Sequence, residues 1–285
     1  MNIRLASFLL ASLLLTASAA PIDDLMAEAK TLADGHDAAA AVARYRAAAA
    51  LPGADAKARA KALYAVADLA LGKLERLDDA LAAYDAIAAL EDLSADEKLA
   101  ARNRKAQTLM RFRTRERAIQ MRQVWRDIGR DESLTPAQRV KGWIAVANNA
   151  AESSVYANMD EARQALDAAL AIAGLGDPER ADVLAQTIRF WIKAKDLAAA
   201  ADTARRLLAI EGITATQRIE AAAQLAGIQF MLGDEAAADA TARHVLALPG
   251  LADAEQGLGY YHLGLLSARM HRFAAAREAF AETIR

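Results

Sequence analysis

The sequence predicts an all-α chain made of about seven copies of one helical hairpin, and three observations predict it. About a quarter of the 285 residues are alanine, the best helix former, while aromatics stand at 5% and strand-favouring residues are sparse. A junction phrase, in which an aliphatic residue leads a short polar or glycine-bearing stretch, recurs six times from Leu51, Leu90, Ile128, Ile172, Ile210 and Leu248. Ten residues before each junction stands an alanine: Ala41, Ala80, Ala118, Ala162, Ala200 and Ala238, with Ala276 continuing the series. The successive spacings are 39, 38, 44, 38, 38 and 38, and a fixed period of this length marks one supersecondary unit being copied.

Along the chain, residues 1–19 stand apart from the repeats. Arg4 gives a positive start, Leu5 to Leu15 is an apolar run too short to span a bilayer, and Ala17-Ser18-Ala19 fits the small-x-small rule for cleavage. The expectation is a secretory signal cut after Ala19, with a cut after Ala20 ranked second and an uncleaved apolar anchor as the alternative. The repeat domain then covers 20–285 and places the protein in the periplasm or outside the cell. The absence of cysteine leaves it without disulfides, so packing alone must hold it.

A leading helix from Ile22 to Ala33 opens the first hairpin. Each later hairpin starts at a junction that carries its own start signal. Ser94 with Glu97, Thr135 with Gln138 and Thr214 with Gln217 have the spacing of capping boxes, and Pro136 and Pro178 fit the first helical position. Twelve residues into the first helices come Ala67, Ala106, Ala147, Ile188, Ala226 and Gly264, nearly all small; eight residues in come Leu63, Arg102, Trp143, Leu184, Ala222 and Tyr260, mostly large. Small residues are needed where one helix lets another's ridge enter its groove. The six extra residues before Ala162 divide between "GRDESLT" and "ESSVYANM", which predicts a looser joint there.

Tyr260, Leu263, Gly264, Ala276 and Phe280, and again Trp143, Val146, Ala147, Ala162 and Leu166, reproduce a pattern that resembles the tetratricopeptide repeat family. The resemblance runs in phase from residue 22 to 285, with a period longer than that family's usual 34 or so. It implies a right-handed α-α superhelix, a solenoid whose concave surface is lined by the first helices, and a module that binds a protein or peptide there. The arrangement of Lys and Asn by which some relatives clamp a peptide's terminal carboxylates is not found.

Catalysis finds little support. His36 and His271 fall at equivalent turns, His244 and His262 lack partners at metal-ligand spacing, and neither a phosphate loop nor a thiol is present. The reading is therefore a non-enzyme without cofactor or metal. With 35 basic against 37 acidic residues, the overall charge gives no reason to expect nucleic acid.

The charge is not evenly spread. From Arg102 to Arg130 there are ten basic residues against only Glu116 and Asp127. Arg122 aligns with Tyr45, Tyr84, Leu166 and Phe280, Arg102 with Trp143 and Tyr260, and Lys105 with Val146, Leu225 and Leu263, so three charges sit where other repeats place apolar groups. Either acids meet them, with Glu152, Asp127 and Glu116 as internal candidates, or the site is wet and used. The candidate partner-binding residues are Arg102, Lys105, Arg111, Arg113, Arg115 and Arg122. Lys193 and Arg269 join them because position seventeen of the first helices, expected to face the groove, reads Gly72, Arg111, Glu152, Lys193, Met231 and Arg269. These charges suit an acidic peptide or protein; the alternative is an accessory protein binding an anionic small molecule or glycan. At the C-terminus, Phe273, Ala276, Phe280 and Ile284 form an apolar stripe that predicts self-association or docking through that end.

Overall fold

A computed structural model describes residues 20–152 and 157–284, which form fourteen helices and, among the described residues, no strand. The expected signal segment and its cut after Ala19 lie outside the described residues, as does 153–156, part of the expected looser joint. In order the helices are α1 (Ala20–Asp34), α2 (Ala38–Ala49), α3 (Ala56–Gly72), α4 (Leu77–Ala88), α5 (Ala95–Met110), α6 (Arg115–Arg130), α7 (Pro136–Glu152), α8 (Met159–Leu170), α9 (Asp177–Lys193), α10 (Leu197–Leu208), α11 (Ala215–Met231), α12 (Glu235–Leu246), α13 (Asp253–Arg269) and α14 (Phe273–Glu282). Two compact units divide between Ile128 and Gly129. The first stacks α1 to α4 and α5 in chain order, and the second stacks α7 to α14 in the same way.

The expected junctions are where the chain turns. Ser94 and Thr214 make their capping boxes, and Thr135 does the same, its Oγ1 accepting from the Gln138 amide at 3.3 Å while Gln138 Oε1 accepts from the Thr135 amide at 2.9 Å. Reciprocal bonds of this kind satisfy two donors that a helix start otherwise leaves without a partner. Pro136 opens α7 as expected, whereas Pro178 follows Asp177 as the second residue of α9.

Inside the hairpins a second device recurs. His36, Glu75, Lys195 and His271 adopt positive φ between +54° and +68°, and Gly233 does so at +85°. A left-handed residue lets the next amide bond back across the end of the first helix, as Asp37 does to Leu32, Asp196 to Trp191, Asp234 to Gln229 and Arg272 to Ser267. Asp37, Asp196 and Asp234 then cap the second helix with their carboxylates. The two histidines are thus turn residues, as their spacing suggested. The third hairpin lacks this device: no residue of its 111–114 turn has positive φ, and α6 runs to 16 residues where α2, α4, α8, α10 and α12 have 12.

Packing explains the alanine series. Ala41, Ala80, Ala162, Ala200, Ala238 and Ala276 are buried, and only Ala118 on α6 is half-exposed. Four residues further along the second helix stands a side chain that belongs with the small position of the first helix, sharing its core, cavity or a direct contact, and the two sizes tend to vary inversely. Tyr84 shares a core with Ala67, whereas Ile188 shares one with Ala204. At the last hairpin Phe280 lies so close to Gly264 that a Cβ there would sit 2.6–2.9 Å from the ring. Where both partners are small, at Ala226 and Ala242, a cavity of about 20 Å³ opens beside His262. Interiors packed to crystal-like density require such compensation.

Candidate functional site

The arginine-rich third hairpin does not form one site. Arg122 is 5% exposed, in the position that Tyr45, Tyr84 and Leu166 fill elsewhere, so the inferred register is right. Burial and interactions within the protein remove it from the ligand-binding candidates. Lys105 is met by an acid, its Nζ lying 2.6 Å from Asp85 on α4. That acid was not among the expected partners; Glu116 instead accepts from Gln120, and Asp127 from Gln123. Arg102 is half-buried with interactions of its own. Arg117, partly buried, pairs with Asp78 at 3.0 Å. Only Arg111, Arg113 and Arg115 remain as exposed cations on the turn between α5 and α6.

Lys193 and Arg269 are exposed at the ends of their helices, and Lys193 lines a small cavity together with Glu152 and Arg189. Because α3, α7, α9, α11 and α13 each have 17 residues, position seventeen is the last one of each.

A cleft that the sequence reading missed lies between α3 and α5. Its volume is about 440 Å³, and Ala60, Ala100, Ile87 and Leu93 contribute its apolar lining. Lys57, Lys61 and Tyr64 come from one face of α3, at the i, i+4, i+7 spacing of a helical stripe, and Glu97 and Arg104 from α5. The Arg104 guanidinium stacks 4.5 Å from the centroid of the Tyr64 ring, a contact worth about 0.5–1 kcal/mol at an exposed site. Burial raises the Tyr64 hydroxyl above its ordinary pKa, with Arg104 acting the other way, so the phenol stays a neutral hydrogen-bond donor.

Glu97 is the only acid of the lining and is already occupied. It accepts from the Ser94 hydroxyl at 2.8 Å and from the Ser94 amide at 3.0 Å, and Lys57 lies 3.5 Å from its other oxygen. The Ser94 hydroxyl, then its amide and Lys57, hold the Glu97 carboxyl below its ordinary pKa. Lys61 and Arg104 are exposed, and the lining has three cations to one carboxylate. Lys57 and Lys61 are spaced as any solvated helix face would be, which is why they gave no signal in sequence.

Repeated hairpins in one register, all but the third built on a buried alanine of the series, decide what kind of molecule this is. The chain is a helical-repeat protein built of α-hairpins. No protein-family model matches it, and a search of curated proteins finds no match. Among solved structures, the chain is similar to the C-terminal part of a TPR repeat-containing protein from Cytophaga hutchinsonii, at 16% identity and a TM-score of 0.47, covering 91% of this chain and 94% of that one. It is also similar to a tetratricopeptide repeat protein from Parabacteroides merdae, at 13% identity and a TM-score of 0.41, over 93% and 99% of the two chains. Similarity to BtubC from P. vanneervenii is at 13% identity and a TM-score of 0.43, over 81% and 87%.

Among the described residues no group of His, Cys, Asp and Glu is arranged to hold a metal ion, and no helix is long and apolar enough to cross a membrane. The pKa of His262 is lowered by burial, with Glu220 acting in the opposite direction. It lines the small cavity beside Ala226 and faces no nucleophile there.

Proposed function

We propose that this protein is an exported interaction scaffold whose α3–α5 cleft receives an acidic segment of a partner polypeptide. The observation that carries the reading is the lining of that cleft. Two exposed cations, Lys61 and Arg104, stand beside a neutral phenol and an apolar floor, so a carboxylate and an adjacent apolar side chain find complementary groups together. Binding, without chemistry, is what such a surface supports.

Export is supported by the charged, apolar and small-residue segments of 1–19, and N-terminal sequencing of protein recovered from the cell envelope should begin at Ala20. Recovery of intact Met1 refutes cleavage. Self-association through α14 belongs to the same reading and is supported by exposed Phe273 and Ile284, although Phe280 turns inward against Gly264. Light scattering over a hundredfold concentration range tests it, and a constant monomer mass refutes it.

The binding experiment is capture from envelope extract by the wild type and by Lys61→Glu/Arg104→Glu. A stoichiometric partner lost only by the variant supports the cleft; a partner retained equally refutes that face, and no stoichiometric partner refutes the scaffold. A cleft of this size also fits an anionic small molecule or glycan. Salt-sensitive binding to an anionic glycan without a protein partner would favour that second reading.

A further inference from the structure

The α5–α6 turn is built unlike the others and presents a different surface. Residues 110–116 are exposed without interruption. Met110 is 58% exposed and Phe112 41%, and Ile119, on the second turn of α6, is 50% exposed. Between and beside them stand Arg111, Arg113 and Arg115, all exposed, and no acid occurs from Lys98 to Arg115. Glu116 is the nearest acid, held by Gln120 at 3.4 Å. On the α3–α4 turn of the preceding hairpin the acids are largely answered: Asp78 by Arg117 at 3.0 Å, and Asp79 by Arg46 at 2.9 Å and Arg76 at 3.9 Å. Lys73 and Glu75 there offset one another in charge.

We propose that this turn docks on the surface of an anionic lipid bilayer, with Met110 and Phe112 entering the headgroup layer while Arg111, Arg113 and Arg115 bind lipid phosphates. The proposal is independent of the cleft. Apolar side chains alternating with arginines along an exposed turn give no continuous dry patch for a flat protein surface. A bilayer interface accepts both, because a short apolar group reaches the acyl boundary while guanidinium groups stay at phosphate depth and bind in bidentate fashion. The backbone of the turn is suited to a drier layer as well: the amides of Arg111, Phe112 and Thr114 bond to Thr108, Leu109 and Phe112 within the turn, and so do not need water.

The test is co-flotation with vesicles of phosphatidylcholine and phosphatidylglycerol at a ratio of about 7:3 against phosphatidylcholine alone, such anionic surfaces attracting basic residues at about fivefold in affinity for each. The anionic vesicles should bind the protein, more weakly at raised salt, and the neutral ones should not. Arg111→Glu/Arg113→Glu/Arg115→Glu should lower partitioning by about a hundredfold or more, and Phe112→Ser by about tenfold. Circular dichroism must show unchanged helicity in each variant.

Because the chain has no cysteine, an environment-sensitive dye on Met110→Cys reports the turn itself, whatever residues 1–19 do. Its emission should shift to the blue on anionic vesicles and be quenched by brominated acyl chains. Equal binding to both vesicle types, binding untouched by the substitutions, or a dye that stays in water overturns the proposal. So does binding of soluble polyglutamate through the same arginines with no vesicle binding, which assigns the turn to an acidic polypeptide.

Discussion

Two helical glycines one residue apart in the repeat register should respond oppositely to the same added methyl group. Gly227 on α11 and Gly264 on α13 both sit well inside 17-residue helices, where replacing glycine by alanine gains about 1 kcal/mol of helix propensity. At Gly227 the nearest atom to a new Cβ is Arg269 Nη1 at 3.8 Å, an ordinary contact, so Gly227→Ala should stabilise by about the full propensity gain. At Gly264 the same Cβ would lie 2.6 Å from a ring carbon of Phe280, with two further ring carbons within 2.9 Å. Overpacking of this kind costs about 1–3 kcal/mol, so Gly264→Ala should come out about 0–2 kcal/mol less stable than wild type. Urea unfolding followed by circular dichroism reads both, and hydrogen exchange should localise the loss to α13 and α14. Adding Phe280→Leu to Gly264→Ala should recover part of the loss, since the clash is with the ring, and the double-mutant cycle measures that coupling. If Gly264→Ala stabilises as much as Gly227→Ala, the size-compensated pairing of the two helices is wrong.

Other substitutions probe other parts of the packing. Ala226→Leu should destabilise by about 1–3 kcal/mol in the same urea assay, because the cavity of about 20 Å³ beside it holds only part of the three added carbons. Trp143→Ala should cost about 3–5 kcal/mol by thermal or urea melting, since the indole is buried and its ring fills the space over Gly129. His262 carries a pH dependence. Its folded pKa is lowered by burial, so it contributes stability that is fully present above the unfolded value near 6.5 and is lost as pH falls below that towards the folded one. Urea midpoints measured from pH 7 down to pH 5 should therefore fall more steeply in wild type than in His262→Gln, and parallel slopes would reject the assignment.

The architecture was legible because period, cap and small residue report the same register independently. Thr214 with Gln217 fixes a helix start, Ala238 fixes a crossing, and 38 residues separate Ala200 from Ala238. The oddity of the third hairpin was legible as well, since Arg122 fell on a position that is apolar or aromatic in most other hairpins. What became of the charges there was not. The partner of Lys105 is Asp85, twenty residues upstream on another helix, and a surplus counted along the chain says nothing about acids that folding brings from an earlier repeat. The cleft escaped for a related reason: Tyr64 and Arg104 are forty residues apart in sequence and meet only because α3 and α5 both pack against α4.

The compensation of size within each hairpin decides where this chain can be cut and recombined. A crossover at a junction such as Ile210 to Thr214 transfers a whole hairpin with both members of its matched pair, so Gly264 travels with Phe280 and Ile188 with Ala204. A crossover at the left-handed turn does not. Joining α9 to α14 at Lys195 and His271 would preserve the turn conformation, since both residues share it, yet it would set Ile188 against Phe280 and overfill the space between the helices. The reverse chimera, α13 followed by α10, would set Gly264 against Ala204 and leave a void. The heritable and exchangeable module is therefore the hairpin bounded by its junctions, and libraries shuffled at junctions should yield folded chains far more often than libraries shuffled at the turns.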